Sequence, residues 1–155
     1  MNQSEKRPML WFDPFHDPAT GGFFHRMGDV GHLDAQGRIW FCGRKTHRVV
    51  TRQGTLFTIP CEAVFNTHPA VFRTALVGVR RGDAVEPVLC VELEPEHRQI
   101  NPQTLRSELA ALAAKFPHTR AITTFLLHPA FPVDIRHNAK IFREKLAVWA
   151  AARCP

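Results

Sequence analysis

The chain has 155 residues, of which 45% are hydrophobic and 22% charged, and its formal net charge is +6. This composition is typical of a globular protein, the length allows one domain or two small parts, and no apolar run is long enough for a transmembrane helix. The positive charge favours anionic partners such as nucleotides, phosphates or nucleic acid without choosing among them. The N-terminus lacks the apolar core of a secretory signal, so we expect a cytoplasmic protein.

The first 45 residues contain too little regular structure to fold alone. Prolines and glycines interrupt residues 1–24, which we expect to be irregular. A β-hairpin follows at about residues 29–44, where "DVGHLD" and "RIWFCGR" flank a turn containing Gly37. Because a lone hairpin is only marginally stable in water, we expect residues 1–45 to be the end of a larger domain.

Residues 46–155 alternate strands with helices and predict a small α+β fold, a three-stranded sheet flanked by helices. Asn101 can cap the clearest helix, and Pro102 suits its first turn. The predicted elements are a hairpin turning at Gln53–Gly54, a helix with Pro60 in its first turn that Pro69 stops, paired strands at 72–80 and 87–94, a helix at 101–116, a strand at 121–128 and a last helix at 139–153.

The cysteines and histidines do not form a metal-binding pattern. The four cysteines, Cys42, Cys61, Cys90 and Cys154, are far apart and make no C-x-x-C pair. The nine histidines show no H-x-x-x-H spacing. We therefore expect neither a disulfide framework nor a zinc site, and no metal ligands in this chain.

Two polar residues of the first hairpin are candidates for binding a sugar. Asp29 follows a glycine at a strand start, and a carboxylate there can accept hydrogen bonds from two vicinal hydroxyls. Arg44 follows Gly43 at the end of the second strand, where a guanidinium can reach a hydroxyl or a phosphate. On spacing alone, a plain hairpin with a surface arginine remains the simpler interpretation.

Three stretches together resemble the acyl-adenylate-forming enzymes, which include acyl-CoA synthetases and the adenylation domains of peptide synthetases. "MGDVGHLDAQGRIWFCGRKTHR" matches the family's pattern of an aspartate, a hairpin and a Gly-Arg pair, with His47 in place of the closing aspartate. "TIPCEAVFNTHPAVFRTALVGV" continues the match, and "AKIFREKL" resembles the end of the tenth core motif. The resemblance covers residues 25–150, and it implies a mobile C-terminal domain at 46–155 that follows the end of a large N-terminal domain.

The resemblance also implies roles for individual residues. Asp29 would hold the ribose hydroxyls of ATP or AMP, Arg44 would contact the ribose–phosphate region, and Thr46 would be the hinge between the domains. Lys140 would be the catalytic lysine that bridges the substrate carboxylate and the α-phosphate. The expected cofactors are ATP/AMP, with Mg²⁺ in the full-length enzyme, and the expected partners are a fatty-acid or acyl-adenylate substrate and an N-terminal adenylation domain, without nucleic acid.

Departures from the family pattern point to one branch. Asn138–Ala139 replaces the Ser-Gly pair before the lysine, and "FPVDIRHNAKIFREKLAVW" is most similar to the β-lactone synthetases of bacterial olefin biosynthesis. That branch converts a 3-hydroxy fatty acid into a β-lactone through an acyl-adenylate. The alternative within the family is a fatty-acyl-CoA ligase. The nucleotide-binding loop of the large domain is not in the sequence, so we expect this chain alone to be inactive.

Two interpretations from other classes stay open at this stage. The basic stretches "GRKTHRVVTR" and "RHNAKIFREK" could belong to a nucleic-acid-binding module, although no RNP-type aromatic pattern, G-x-x-G loop or finger spacing accompanies them. The second interpretation is a non-catalytic domain that keeps the fold and serves for interaction or carrier docking.

Overall fold

The computed structural model describes residues 9–11, 15–16, 23–24, 28–134 and 136–154. The chain divides into two compact units, residues 1–47 and 48–155, which are described separately below. Within the described residues, no helix is long and apolar enough to cross a membrane.

The first unit consists of short antiparallel strands. They are β1 (Met9–Trp11), β2 (Phe15–His16), β3 (Phe23–Phe24), β4 (Asp29–Leu33) and β5 (Ile39–Arg44), followed by a 3₁₀ turn at Lys45–His47. The strand order β1-β4-β5 forms one sheet, and β2 pairs with β3. The predicted hairpin at 29–44 is confirmed. The expectation that residues 1–24 are wholly irregular is wrong, because β1, β2 and β3 lie there.

One carboxylate organises the turn between β4 and β5. Asp34 accepts hydrogen bonds from the backbone N–H of Arg38 at 2.9 Å and of Gln36 at 3.0 Å, and from the indole N–H of Trp40 at 2.8 Å. The Trp40 hydrogen bond is the main reason that the pKa of Asp34 falls to about 2. Gly37 adopts a φ of 75°, which the turn requires and which glycine adopts without strain.

The second unit has a three-stranded sheet and three helices, as predicted. Its elements are β6 (Val49–Thr51), β7 (Gly54–Leu56), α1 (Thr58–Phe65), β8 (Val71–Arg81), β9 (Ala84–Leu93), α2 (Pro102–Ala114), β10 (Thr124–Leu127), β11 (Val133–Asp134), β12 (His137–Ile141) and α3 (Arg143–Ala151). β6 pairs with β7 in the hairpin expected at Gln53–Gly54. β11 pairs with β12 in a second hairpin that the sequence does not predict.

The main sheet has the order β10-β9-β8, with β8 at one edge. β8 and β9 are antiparallel and share a long register from Val71↔Leu93 to Arg81↔Ala84, so the turn between them is tighter than the predicted loop at 81–86. β9 and β10 are parallel, and α2 provides the crossover that a parallel connection requires.

Alternation along the strands builds two cores, one on each face of the sheet. Leu76 of β8 and Leu89 of β9 face α1 and α2, whereas their neighbours Val77 and Val88 face α3. The first core also contains Cys61, Phe65, Leu105, Leu109, Ala113, Ile122 and Phe125, and the second contains Ala75, Val79, Cys90, Phe131, Leu146 and Ala150. The sheet is therefore covered by helices on both faces, which buries both sides of β8 and β9.

Helix α2 follows the prediction at its start and departs from it at its end. The Asn101 side chain accepts hydrogen bonds from Gln103 N at 2.8 Å and Thr104 N at 3.2 Å, so the predicted cap is confirmed. Leu105 and Leu109 are fully buried, but Phe116 lies beyond the helix and is 42% exposed. Ala113 is the last buried residue of the helix, which ends at Ala114 rather than at residue 116.

The last helix begins later than the sequence predicts. Local pattern predicts a start at residue 139, yet α3 starts at Arg143, with Phe142 at its N-cap. The backbone N–H of Phe142 donates to the carbonyl of Pro132 at 2.9 Å, and residues 137–141 pair with β11. These hydrogen bonds to a preceding segment hold the backbone extended where local propensity favours a helix.

Candidate active site

Asp29 and Arg44 are brought together by the pairing of β4 with β5. The two residues are register partners, and Arg44 Nη1 lies 3.1 Å from Asp29 Oδ1. The contact is an ion pair without hydrogen-bond geometry. The Oδ1 atom is buried and accepts no hydrogen bond from the described residues. The Arg44 side chain is 50% exposed and that of Asp29 27%, so both residues remain accessible to a ligand.

Thr46 lies in the 3₁₀ turn that follows β5. It is exposed, and it is one residue from the last residue of the first unit, His47. The turn is fixed on its N-terminal side, where Lys45 N donates to the carbonyl of Gly28 at 2.8 Å. A short turn at a unit boundary is the kind of position that can absorb a backbone rotation.

Lys140 lies on β12, in the hairpin that β12 forms with β11. Its side chain is exposed, whereas the next residue, Ile141, packs against the core beneath α3. The expectation that this lysine sits at a helix N-terminus is wrong, because it precedes the N-cap Phe142 by two residues and has strand geometry.

The structure places the candidate residues in two units. Asp29, Arg44 and Thr46 belong to the first unit, and Lys140 belongs to the second. Within the first unit, Asp29 and Arg44 are in direct contact. Among the described residues, no group of three His, Cys, Asp or Glu side chains forms a metal-binding cluster.

Sequence reasoning missed a buried ion pair between α1 and α3. Glu62 lies on α1, beyond the first turn of the helix. Its side chain is buried and receives both terminal nitrogens of Arg143, with Arg143 Nη2 2.9 Å from Glu62 Oε2. The backbone N–H of Leu76 donates to Glu62 Oε1 at 2.7 Å. Burial raises the pKa of Glu62, and the hydrogen bonds from Arg143 and Leu76 act against that rise.

Sequence reasoning also missed a second buried carboxylate, Glu92 on β9. Its Oε2 atom accepts hydrogen bonds from Arg73 Nε at 2.7 Å and from the backbone N–H of Phe131 at 2.9 Å. Arg73 and Glu92 face each other across β8 and β9. The Arg73 guanidinium lies over the ring of Phe131, 5.4 Å from its centroid.

A sequence signal for these carboxylates existed. Glu92 and Arg73 interrupt otherwise apolar strands that are predicted to pair, and a charge inside such a strand requires a partner. Glu62 likewise lies in the apolar run "PCEAVF". The identity of its partner was not accessible from local pattern, because Arg143 is 81 positions away.

Two curated relatives match most of the chain at high identity. No protein-family model matches the chain. The chain is 59% identical over 127 residues to an olefin beta-lactone synthetase of Xanthomonas campestris pv. campestris. It is 60% identical over 128 residues to one of Stenotrophomonas maltophilia. These matches cover 82% and 83% of the chain and 23% of each relative, so the chain spans about a quarter of the length of these enzymes.

Solved structures of other enzymes share the fold. A crystal structure of the anthranilate CoA ligase AuaEII in complex with anthranoyl-AMP matches with a TM-score of 0.73 at 22% identity, over 85% of this chain and 25% of that one. At that identity the match shows the fold alone. The α+β class expected for residues 46–155 is therefore confirmed by both the topology and its structural neighbours.

Proposed function

The chain belongs to the acyl-adenylate-forming enzymes as a relative of the olefin β-lactone synthetases, and we propose that it is the C-terminal part of an ATP-dependent β-lactone synthetase and completes its active site. The observation that carries the proposal is the identity of 59–60% to two such synthetases over more than four fifths of the chain. The remaining three quarters of the enzyme would supply the large N-terminal domain.

The proposed reaction has two steps. A 3-hydroxy fatty acid first attacks the α-phosphorus of ATP through its carboxylate, which forms an acyl-adenylate and releases pyrophosphate. The 3-hydroxyl then attacks the acyl carbon, loses its proton and expels AMP, which closes the four-membered lactone. Because the nucleophile is tethered to the acyl group, no second substrate has to be bound for this step.

Lys140 would act in the first step. Two anions must approach each other during adenylation, and negative charge grows on the phosphate oxygens as the new bond forms. An ammonium fixed beside them offsets the repulsion and stabilises the transition state. The exposed position of Lys140 on a hairpin supports this role, because the side chain is available to a ligand held by another domain.

Asp29 and Arg44 would hold the nucleotide. The Asp29 side chain is 27% exposed, and its carboxylate can accept hydrogen bonds from ribose hydroxyls. Arg44 would neutralise the carboxylate and contact the ribose–phosphate region. The described residues do not form a cluster suited to Mg²⁺, so we assign no magnesium ligand to this chain.

Thr46 would be the hinge about which the second unit turns between the two steps. Its exposed position in a short 3₁₀ turn beside the boundary at His47 supports this assignment. Lys140 would then reach the nucleotide in the adenylating arrangement and withdraw from it afterwards.

The test uses the full-length enzyme that contains this chain. Wild-type protein incubated with ATP and a 3-hydroxy fatty acid is expected to release AMP and pyrophosphate and to form a β-lactone detectable by mass spectrometry. Lys140→Ala is expected to lower the adenylation rate by about 10²–10³-fold, as loss of one fixed transition-state contact does.

The matched control is Lys115→Ala, which removes an exposed lysine at the end of α2 and is expected to leave the rate unchanged. Two results would contradict the proposal. An adenylation rate that Lys140→Ala leaves unchanged would show that Lys140 is not catalytic. Efficient acyl-CoA formation with added CoA, and no lactone, would identify a CoA ligase instead.

A further inference from the structure

The hairpin that carries Lys140 is fastened at its base and exposed where the lysine lies. Its two strands pair at Val133↔Ile141. One residue closer to the base, the Phe142 N–H donates to the carbonyl of Pro132 at 2.9 Å. Lys140 itself is exposed. The position of its ammonium group therefore depends on how firmly the two ends of the hairpin are held.

The N-terminal end of the hairpin is held by Glu92. This carboxylate is 7% exposed and accepts the backbone N–H of Phe131, two residues before the first hairpin strand, at 2.9 Å. The same oxygen atom is bonded to Arg73, which fixes the carboxylate on the sheet. A backbone group of the hairpin stem is thereby attached to the central strand β9.

The C-terminal end is held by Glu62. Arg143, three residues after Lys140, makes a two-point ion pair with Glu62, and Glu62 is bound in turn to Leu76 N at 2.7 Å. Both side chains are nearly buried, with 13% of Arg143 and 8% of Glu62 exposed. Two planar groups joined at two points restrict rotation as well as distance.

We propose that Glu62 and Glu92 are positioning residues for Lys140, acting through Arg143 and the Phe131 backbone at the two ends of the hairpin. This inference rests on the catalytic role proposed for Lys140. A long flexible side chain stabilises a transition state only when its backbone is held to within a fraction of an ångström. The fold therefore uses one buried carboxylate on α1 and another on β9 to fix a surface lysine.

The experiment measures adenylation separately from the later step in the full-length enzyme. Glu92→Ala removes the acceptor for the Phe131 N–H, and Glu62→Gln replaces one acceptor of Arg143 by a donor. Each variant is expected to lower kcat for ATP–pyrophosphate exchange by about tenfold or more, because misplacing a catalytic group by about 1 Å costs up to two orders of magnitude. KM for ATP is expected to change little.

The step from acyl-adenylate to lactone provides a second readout. A general loss of folding would slow this step as well, whereas misplacement of Lys140 would not. Supplied with chemically prepared acyl-adenylate, the variants are expected to form product at the wild-type rate. The matched control is Glu86→Ala, on the same strand as Glu92 but with its side chain 56% exposed, and both of its rates are expected to match wild type.

A double-mutant cycle tests whether the two carboxylates act through Lys140. If they do, adding Glu92→Ala or Glu62→Gln to Lys140→Ala causes no further loss of adenylation. Losses that multiply, or an equal loss in the step from acyl-adenylate, would overturn the inference. If Glu62→Gln does not fold, Arg143→Lys tests the same end of the hairpin, because it keeps the charge but loses the two-point geometry.

The outcomes separate this inference from the function on which it rests. An unaffected Lys140→Ala enzyme contradicts the proposed function itself. A Lys140→Ala enzyme that loses adenylation, together with Glu62 and Glu92 variants that keep it, contradicts only the positioning role.

Discussion

Arg44 Nη1 lies 3.1 Å from Asp29 Oδ1, across the pair that joins the first residue of β4 to the last residue of β5. The two residues proposed to hold the nucleotide thus already share an ion pair in the first unit. A ribose hydroxyl bound at Asp29, as proposed, would meet a carboxylate that Arg44 already orients.

Replacing Asp29 by asparagine is expected to weaken nucleotide binding. The amide side chain would keep one oxygen acceptor but lose the charge that strengthens a hydrogen bond from a hydroxyl, worth about 1.5–3 kcal/mol for charged partners. KM for ATP in the full-length enzyme is therefore expected to rise about tenfold or more, measured by pyrophosphate release at saturating acid. Asp83→Asn, which alters an exposed carboxylate in the β8–β9 turn, serves as control. An unchanged KM for Asp29→Asn would show that the ribose is held elsewhere.

Two neighbouring positions of α3 are expected to differ sharply in their effect on stability. Leu146 is fully buried in the core beneath α3, whereas Val148, two residues later, is 74% exposed. Leu146→Ala should lower the free energy of unfolding by about 2–5 kcal/mol, through lost burial and the cavity left behind. Val148→Ala should change it by less than about 0.5 kcal/mol. Denaturant titrations of the two variants check the pair, and comparable losses would mean that α3 packs in another orientation.

Gly78 on β8 is expected to tolerate no side chain. A Cβ atom there would lie 2.7 Å from Val85 Cγ1 and 3.2 Å from Val49 Cγ1, so Gly78→Ala should cost about 1–3 kcal/mol through overpacking. Adding Val85→Ala removes the nearer methyl group. The double variant is therefore expected to be more stable than the sum of the two single losses predicts. Thermal or denaturant unfolding of all four proteins measures this coupling, and strict additivity would contradict the contact.

Two of the four thiols are expected to resist alkylation in the folded protein. Burial is the main cause that raises the pKa of Cys61 and of Cys90 to about 12. Only the thiolate reacts, so at about pH 8 the reactive fraction of each is near one part in ten thousand even before access is considered. Iodoacetamide labelling followed by peptide mass spectrometry should find both unmodified in the native state and modified in denaturant. Native labelling of Cys61 would show that the core between α1 and the sheet opens readily.

Some of this fold was predictable because its signals are local. Gly37 marks the turn between β4 and β5, and Asn101 with Pro102 marks the start of α2. The alternation of apolar residues between the two faces of β8 and β9 follows from their length and composition. The pairing of Asp29 with Arg44 was predictable, because the turn of a hairpin fixes the register of its two strands.

The environment of Lys140 was not predictable in the same way. The residues "AKIFREKLAVW" favour a helix throughout, and only hydrogen bonds to an earlier segment keep Lys140 on a strand. The partner of Phe142 N–H is the carbonyl of Pro132, ten positions earlier. Glu62 is a sharper case, since its burial depends on an arginine 81 positions later. Tertiary contacts of this kind override local propensity and leave no periodic trace.

The Glu62–Arg143 pair also occupies backbone groups at the edge of the main sheet. β8 is an edge strand, and an edge strand offers free backbone groups to any other chain that approaches it. At Leu76 these groups are taken, because the N–H donates to Glu62 and the carbonyl accepts from Arg143 at 3.4 Å. Another molecule cannot add a strand across the middle of β8 without first breaking a buried ion pair. The same two side chains that fasten the Lys140 hairpin thus protect the sheet against intermolecular association.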